Sequence, residues 1–356
     1  MRQKKNYAAI DNFRLVAALL IVAIHTAPLD SLSNTADFFV TYCFGRIGVP
    51  FFLMVTGFFV LAPYQRKAGK ICSIGNPYRL KEFKSSAREG KSNIGKFLRK
   101  TTVLYVVSTL LYLPLKIYSD NVSDSVGGWL KEIFFDGTFY HLWYLPAVIL
   151  GCLLLIALLK ICTPMMVSGI VFVLYVAGVF GDSYYFLISK IPFIKTVYEG
   201  IFEISSYTRN GIFFAPLFLW MGVVIANGKV RISKEQAGLG FVISLVLMLS
   251  EGFLSFHFHW QKHNSMYFLL VPVMFFLFEW LLSIKGREIK LARDMSMYIY
   301  ILHPLCIVLV RGAAGVLKMT KLFVEQSLIH YLAVVAVSVL LSFAIAAVKR
   351  FFLERI

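Results

Sequence analysis

The sequence is poor in acidic residues and in charge of either sign. Only 15% of its 356 residues are charged, and 19 Asp and Glu stand against 36 Lys and Arg. The five cysteines are scattered with no CxxC spacing, so neither a disulfide scaffold nor a zinc site is indicated. No P-loop, GxSxG, HExxH or dinucleotide fingerprint occurs, which leaves the enzyme classes marked by those motifs without support.

Apolar residues are abundant and occur in long runs. They make up 58% of the chain, and the mean hydropathy is +0.73, whereas a soluble domain is closer to half apolar. We therefore predict an all-α, polytopic membrane protein with about ten transmembrane helices, each close to the length that crosses a bilayer. The predicted helices span residues 7–28, 38–62, 97–118, 141–160, 165–180, 209–226, 238–256, 266–284, 295–317 and 328–348.

The basic residues lie in alternate connections between these helices. They concentrate at both termini, in residues 65–100, and in the turns after the sixth and eighth helices, and the net charge is +17. By the positive-inside rule, these segments face the cytoplasm. We expect a multi-pass protein of a bacterial-type plasma membrane, with both termini cytoplasmic and no nucleic-acid partner. The whole chain, 1–356, is expected to form one transmembrane domain with a basic cytoplasmic loop at 65–96.

The first helix carries three ionisable side chains on one stripe. At about 100° per residue, Arg14 and His25 lie within about 20° of each other, and Asp11 lies within about 40° of His25. Ionisable groups inside a membrane usually mark a site or a pathway. The alternative is that Asp11 and Arg14 form an interfacial ion pair and that His25 only packs against another helix.

Further polar residues are predicted within the membrane. Five helices each place a His, Arg or Glu in the outer half: His25, Arg46, His141, Arg209 and Glu251. We expect these five to line one cavity, although Glu251 paired with Arg46 or Arg209 is a structural alternative. His303 falls in the inner half of the ninth helix, and Lys96 and Arg99 enter the third helix from the cytoplasmic side.

Several of these residues stand in segments that resemble acyltransferase family 3, a family of integral membrane proteins. The segments are Asp11-x-x-Arg14 with His25-Thr26, Arg46-x-x-Val49-Pro50-Phe51-Phe52 with Gly57-Phe58, Lys96-x-x-Arg99, and Tyr300-Ile301-Leu302-His303-Pro304. Lys96 stands where that family has Arg, which weakens a bidentate role there. The resemblance covers essentially the whole chain.

A closer resemblance is to the membrane half of VanT-type serine racemases. It is carried by Tyr140-His141-Leu142-Trp143-Tyr144, Gly181-Asp182-Ser183 and Arg209-Asn210-Gly211-Ile212-Phe213-Phe214. Those proteins continue into a cytoplasmic pyridoxal-phosphate racemase domain. This chain ends at Ile356, so we expect either a free-standing relative or the isolated membrane part of a protein that has a racemase domain or partner. No racemase chemistry is assigned to this chain.

The family resemblance implies an acyltransferase that moves an acyl group, most often acetyl, from cytoplasmic acyl-CoA to a cell-envelope acceptor at the outer face. It implies His25 as the catalytic base, with acyl-CoA as a substrate and no bound cofactor or metal. The implied donor-binding residues are Asp11, Arg14, Lys96 and Arg99. The implied acceptor-binding residues are Arg46, His141, Trp143, Arg209, Asn210, Glu251 and His303. The alternative function is a transporter of serine or another amino acid.

Overall fold

The structure is a computed structural model that describes residues 7–69, 80–228, 232–287, 289 and 291–353. Within these residues, all regular structure is helical and no β-strand occurs. The α-helices are α1 Ala8–Thr26, α2 Asn34–Phe38, α3 Gly48–Thr56, α4 Ala62–Gly69, α5 Leu80–Tyr118, α6 Val126–Lys131, α7 Tyr144–Ile161, α8 Pro164–Gly181, α9 Tyr185–Ile188, α10 Pro192–Ile204, α11 Ala215–Ala226, α12 Lys234–His257, α13 Leu270–Ser283, α14 Ala292–Val316, α15 Thr320–Phe323 and α16 Ser327–Leu353.

Eight segments of the described chain are long and apolar enough to cross a membrane. They are Ala8–Thr26, Asn34–Gln65, Asn93–Tyr118, Tyr144–Ile161, Pro164–Gly181, Lys234–His257, Ala292–Val316 and Ser327–Phe351. Two shorter apolar helices, Ala215–Ala226 and Leu270–Ser283, bring the total to ten. Each of the ten overlaps one helix predicted from the sequence, so the all-α polytopic membrane fold is confirmed.

One predicted boundary is wrong. The third helix was placed from residue 97, but α5 already begins at Leu80 and includes much of the expected 65–96 loop. Its first turns are rich in Lys, Glu and Arg, which favour helix without being apolar. The remainder of that loop, residues 70–79, lies outside the described residues.

The second span is interrupted rather than continuous. Between α2 and α4 its hydrogen-bonding pattern changes to a π-helix at Phe39–Cys43, a 3₁₀-helix at Phe44–Ile47 and a second π-helix at Gly57–Leu61. Apolar periodicity predicts a single helix here, because the sequence signal of a π-turn is weak. Such turns occur often at functional sites, and Arg46 lies on this interrupted stretch.

The chain divides into two compact units. Unit 1 comprises Met1–Phe52, Ile232–Leu254 and Leu269–Ile356, and unit 2 comprises Leu53–Arg231 and Ser255–Phe268. The expectation of one domain for 1–356 stays a prediction.

Unit 1 is built around α1, α14 and α16. Their apolar side chains form a common core that includes Ala18, Ile299 and Val334. At one end of these helices, Asn12 donates to the carbonyl of Arg287 at 2.9 Å. At the other end, Ser31 and Ser327 are linked through their hydroxyl groups at 2.8 Å. The turn before α14 thus lies at the same end as the start of α1, as the predicted alternation requires.

Unit 2 brings α11 against the second π-turn through two glycines. A Cβ on Gly57 would collide with the backbone of Leu219, and a Cβ on Gly222 would collide with the carbonyl oxygen of Met54. The two backbones can therefore approach closely only because neither residue has a side chain. Close approach of small residues is a common way for membrane helices to associate.

The connections of unit 2 also sort to two ends. Asp136 accepts a hydrogen bond from the backbone of Ser206 at 2.9 Å, so segments 119–143 and 182–214 lie together. At the opposite end, Asn227 donates to Gln65 at 2.9 Å. This is the alternation predicted from charge. The connection 182–214 also contains α10, in a stretch where the sequence analysis predicted no helix.

Candidate functional site

His25 and His303 lie together in unit 1. His25 is in the last turn of α1 and His303 is on α14. Their rings stack with centroids 5.2 Å apart and an interplanar angle of 24°. His303 is fully buried. His25, the expected catalytic base, therefore stacks on His303, which was expected to bind substrate.

The neighbouring proline fixes the tautomer of His303. Pro304 has no N–H, so the carbonyl of Tyr300, four residues earlier, loses its helical partner. Nδ1 of His303 lies 2.8 Å from that carbonyl oxygen and 3.1 Å from the oxygen of Ile299. Because a carbonyl only accepts, Nδ1 carries the proton, and the neutral ring presents Nε2 as an acceptor.

Residue counting predicts different depths for these two histidines, with His25 in the outer half of the membrane and His303 in the inner half. Their ring centroids are 5.2 Å apart, so the two rings differ in depth by no more than that distance. Residue counting assumes helices parallel to the membrane normal, whereas real spans are tilted by about 20° on average. The half of the membrane in which each ring lies stays a prediction.

Asp11 is held between two arginines. Nε of Arg14 donates to one carboxylate oxygen at 2.9 Å, and Nη2 of Arg293 donates to the other at 3.1 Å. The Asp11–Arg14 ion pair that was left open as an alternative is therefore present. Two guanidinium groups around one carboxylate leave a net positive charge, and the Arg293 side chain is 68% exposed.

Arg46 and Glu251 also lie in unit 1. The Arg46 guanidinium lies 5.1 Å from the ring centroid of Tyr42. Its Nε is buried without a hydrogen-bond partner among the described residues. Glu251 accepts a hydrogen bond from the backbone N–H of Leu269 at 2.8 Å, just before α13. Glu251 thus stabilises the start of α13.

Arg209 is the centre of a polar and aromatic cluster in unit 2. Its guanidinium lies 4.1 Å from the Tyr207 ring centroid and 5.3 Å from the Trp143 ring centroid. Nη1 donates to the hydroxyl of Ser265 at 2.9 Å. The ring of His263 packs on Tyr207 with centroids 4.5 Å apart. We call Trp143, Tyr207, Arg209, His263 and Ser265 the Arg209 cluster.

Asp182 organises the loop that carries two members of this cluster. It is fully buried. Its Oδ1 accepts from the backbone N–H of Ser265 at 2.6 Å and of Met266 at 3.0 Å. Its backbone carbonyl accepts from the N–H of Lys262 at 2.9 Å. The position of the Ser265 hydroxyl, and with it the Arg209 contact, therefore depends on Asp182.

Asn210 shapes the turn before α11. Its Nδ2 donates to Tyr207 O at 2.9 Å and to Ser205 Oγ at 3.2 Å. Its Oδ1 accepts from the N–H groups of Ile212 and Phe213 at 2.9 and 3.1 Å. These four bonds match the full capacity of an amide side chain. Asn210 thus holds the turn that carries Tyr207 and Arg209, and its expected role in substrate binding stays a prediction.

The remaining expected residues occupy distinct surroundings in unit 2. His141 is buried against aromatic rings, with the Tyr112 centroid at 4.9 Å and the Tyr140 centroid at 5.5 Å. Lys96 and Arg99 are exposed near the start of the Asn93–Tyr118 span.

The five residues expected to line one cavity are divided between the two units. His25, Arg46 and Glu251 belong to unit 1, and His141 and Arg209 to unit 2. The common cavity of these five residues stays a prediction.

Comparison with known proteins gives the family. The model of the acyltransferase domain family (Acyl_transf_3) matches residues 7–347, nearly the whole chain. The chain belongs to this family. An amino-acid racemase of Enterococcus faecalis is 38% identical over 355 residues, which are 98% of this chain and 46% of that protein. A serine/alanine racemase of Enterococcus gallinarum is 34% identical over 333 residues, 93% of this chain and 44% of that protein.

These matches confirm the resemblance drawn from the motifs. The chain spans about half the length of the curated relatives it matches. No solved structure matches it.

In this acyltransferase-family chain, sequence reasoning missed several residues around the expected ones. Arg293 was assigned to a basic turn, although it completes the Asp11 ion pairs. Tyr207 and Ser265 were not singled out, because they lie in irregular connections where periodicity carries no information. The Gly181-Asp182-Ser183 segment was noted only for its resemblance to VanT-type serine racemases. In the structure, the buried Asp182 accepts hydrogen bonds from the backbone of Ser265 and Met266, which gives this segment a physical role.

Proposed function

We propose that this protein is a membrane acyltransferase that transfers an acyl group from cytoplasmic acyl-CoA to a hydroxyl-bearing acceptor at the outer face. Acetyl is the expected group. The observation that carries the proposal is the His25–His303 pair in a chain of the acyltransferase family. A neutral imidazole fixed by a neighbouring ring suits general-base catalysis in an apolar setting.

In the proposed reaction, His25 takes the proton from the acceptor hydroxyl as its oxygen attacks the thioester carbonyl. A new C–O bond forms, and the C–S bond breaks when the intermediate collapses. The CoA thiolate leaves and takes the proton from His25, which regenerates the base, so the products are the acylated acceptor and CoA. His303 does not touch the reacting atoms; it orients the His25 ring.

The donor would bind at the opposite end of α1. Arg14 and Arg293 share one carboxylate and so offer excess positive charge to the phosphates of CoA. The expectation that Lys96 and Arg99, exposed at the start of their span in unit 2, also bind the donor stays a prediction. Arg14 and His25 lie roughly 16 Å apart along the helix at 1.5 Å per residue, so an extended donor would run along α1.

The test is acyl transfer by purified protein in vesicles, with radiolabelled acetyl-CoA and a panel of hydroxyl acceptors. His25→Ala should lower transfer by about 10²–10⁴-fold, the usual contribution of a general base, with acyl-CoA binding retained. His330→Ala is the control, because it removes a second histidine side chain from unit 1, one that is buried with Nδ1 2.8 Å from the carbonyl oxygen of Phe323. Equal activity of the two variants would refute His25 as the base.

A serine carrier is the second candidate. It is favoured by the relatives named as racemases and by the Arg209 cluster, since a guanidinium held between rings suits an amino-acid carboxylate. Labelled-serine uptake into the same vesicles without acyl-CoA, lost in Arg209→Lys, would support it. Uptake with no acyl transfer or acyl-CoA hydrolysis would refute the acyltransferase.

A further inference from the structure

Helix α10 has two apolar faces and one polar face. At about 100° per residue, Ile194, Tyr198 and Phe202 share one face, which is buried or half-buried in unit 2. Phe193, Val197 and Ile204 share a second face and remain 78%, 46% and 60% exposed. Lys195, Glu199 and Glu203 occupy the third. For a helix in water, leaving a second apolar face exposed is unfavourable.

The depth of α10 is set by its contact with α8. α8 has 18 residues, so it is about 27 Å long at 1.5 Å per residue, close to the thickness of the hydrocarbon core. The hydroxyl of Tyr198 donates to the carbonyl of Ala177 at 2.6 Å, in the last turn of α8. Burial raises the pKa of Tyr198 to about 12, which keeps this donor protonated. α10 therefore lies where α8 leaves the hydrocarbon.

A second segment of unit 2 repeats this arrangement beside α10. Val126 and Leu130 of α6, and Phe134 after it, are exposed apolar residues spaced four apart. Nζ of Lys131 donates to the carbonyl of Phe202 at 2.7 Å, which joins the two helices. The exposed apolar side chains of both segments thus belong to one end of the unit.

We infer that α10 and the 126–134 segment form an interfacial platform, whose exposed apolar side chains insert into the lipid of the membrane face at which α5 and α8 end. The occupant is lipid rather than a second copy of the chain, because α10 is joined through Tyr198 to α8, a membrane span whose Phe172 and Val173 are themselves 52% and 65% exposed. Its polar face carries both charge signs, as in the exposed Lys195–Glu199 pair, and such a face suits the headgroup region. This inference does not depend on the proposed function.

Spin labelling of the full chain in lipid nanodiscs tests the platform. Nitroxides are placed singly at Phe193→Cys, Val197→Cys and Leu130→Cys. Val173→Cys serves as the lipid-facing control and Glu199→Cys as the polar-face control. All are exposed positions, in a background with Cys72→Ser and Cys162→Ser. Collision rates with oxygen, which concentrates in lipid, are compared with those of a water-soluble nickel chelate.

We expect the logarithm of the oxygen-to-nickel ratio to be positive at Phe193, Val197 and Leu130, as at Val173, and negative at Glu199. A negative value at Phe193 and Val197 would place that face in water and overturn the inference. Low collision rates with both reagents, or dipolar broadening between labels, would show protein covering the face and would overturn it equally.

Discussion

Replacing His303 with residues that keep one of its two contacts tests how the histidine pair works. The side chain makes two separable contacts: Nδ1 to the carbonyl of Tyr300 at 2.8 Å and the ring stack on His25 at 5.2 Å. His303→Asn retains an N–H donor near Nδ1 but has no ring to stack. His303→Phe retains a ring but has no donor.

The two variants should separate activity from stability. Without the stack, the His25 ring loses the face that orients it, and a misplaced catalytic group can cost about 10²-fold in rate. His303→Asn should therefore lose about 10²-fold in kcat with an unchanged KM for acyl-CoA. His303→Phe leaves a buried carbonyl without its donor, which costs about 1–3 kcal/mol of unfolding free energy, but should retain more activity.

The assays are acyl transfer in vesicles and thermal unfolding in detergent, measured on the same preparations. A pH–rate profile adds a readout that a purely structural role would not move: it should keep its shape in His303→Asn and change in His25→Ala. Pro304→Ala is a further variant. It supplies an N–H to the Tyr300 carbonyl and so should release His303 and lower kcat without unfolding the protein.

A wild-type rate in His303→Asn would refute the reasoning, because the stack would then have no effect on His25. The reverse order, with His303→Phe less active than His303→Asn at equal folded fraction, would assign the effect to the Tyr300 contact instead. Loss of acyl transfer in every variant, together with a lower unfolding temperature, would show that His303 has only a structural role in the core.

Three other predictions follow from packing and topology. Asp182→Ala should lower the free energy of unfolding by about 2–6 kcal/mol, because two buried backbone N–H groups lose an acceptor at about 1–3 kcal/mol each; unchanged thermal unfolding would contradict this. Gly57→Ala should destabilise by about 1–3 kcal/mol through overpacking against Leu219, whereas Gly95→Ala, where a Cβ would have nothing within 4 Å, should not. Asp124→Cys should react with an impermeant thiol reagent on intact cells and Asn93→Cys only after permeabilisation; reaction of both from one side would refute the topology.

The helices could be predicted because bilayer crossing imposes length and composition together. A run such as 165–180 has one physical explanation, and α8 occupies Pro164–Gly181. The boundary at Leu80 was missed for the opposite reason. A polar helix that continues beyond the membrane has neither an apolar run nor a marked change in composition where the hydrocarbon begins.

The contacts of the candidate site were less accessible to sequence reasoning. Periodicity placed Asp11, Arg14 and His25 on one stripe, and the Asp11–Arg14 pair is present. The stacking of His25 on His303 was not predicted, since helix tilt is decided by packing between helices and leaves no local signal. The Arg209 cluster depends on a loop ordered by Asp182, a long-range contact that no sequence period encodes.

The polar residues of this chain divide by the kind of partner they have. Carboxylate and amide side chains such as Asp182, Glu251 and Asn210 bind backbone N–H groups, because irregular backbone inside a membrane protein must be satisfied by the protein itself. Arg209 and His25 lie against ring faces, and Arg209 also donates a hydrogen bond to a side-chain hydroxyl. A ring holds the flat face of a guanidinium or imidazole, whereas hydrogen bonds form in the plane at its edge. Stacking therefore orients these groups through their flat faces, while their in-plane atoms form the hydrogen bonds, as Nη1 of Arg209 does with the hydroxyl of Ser265.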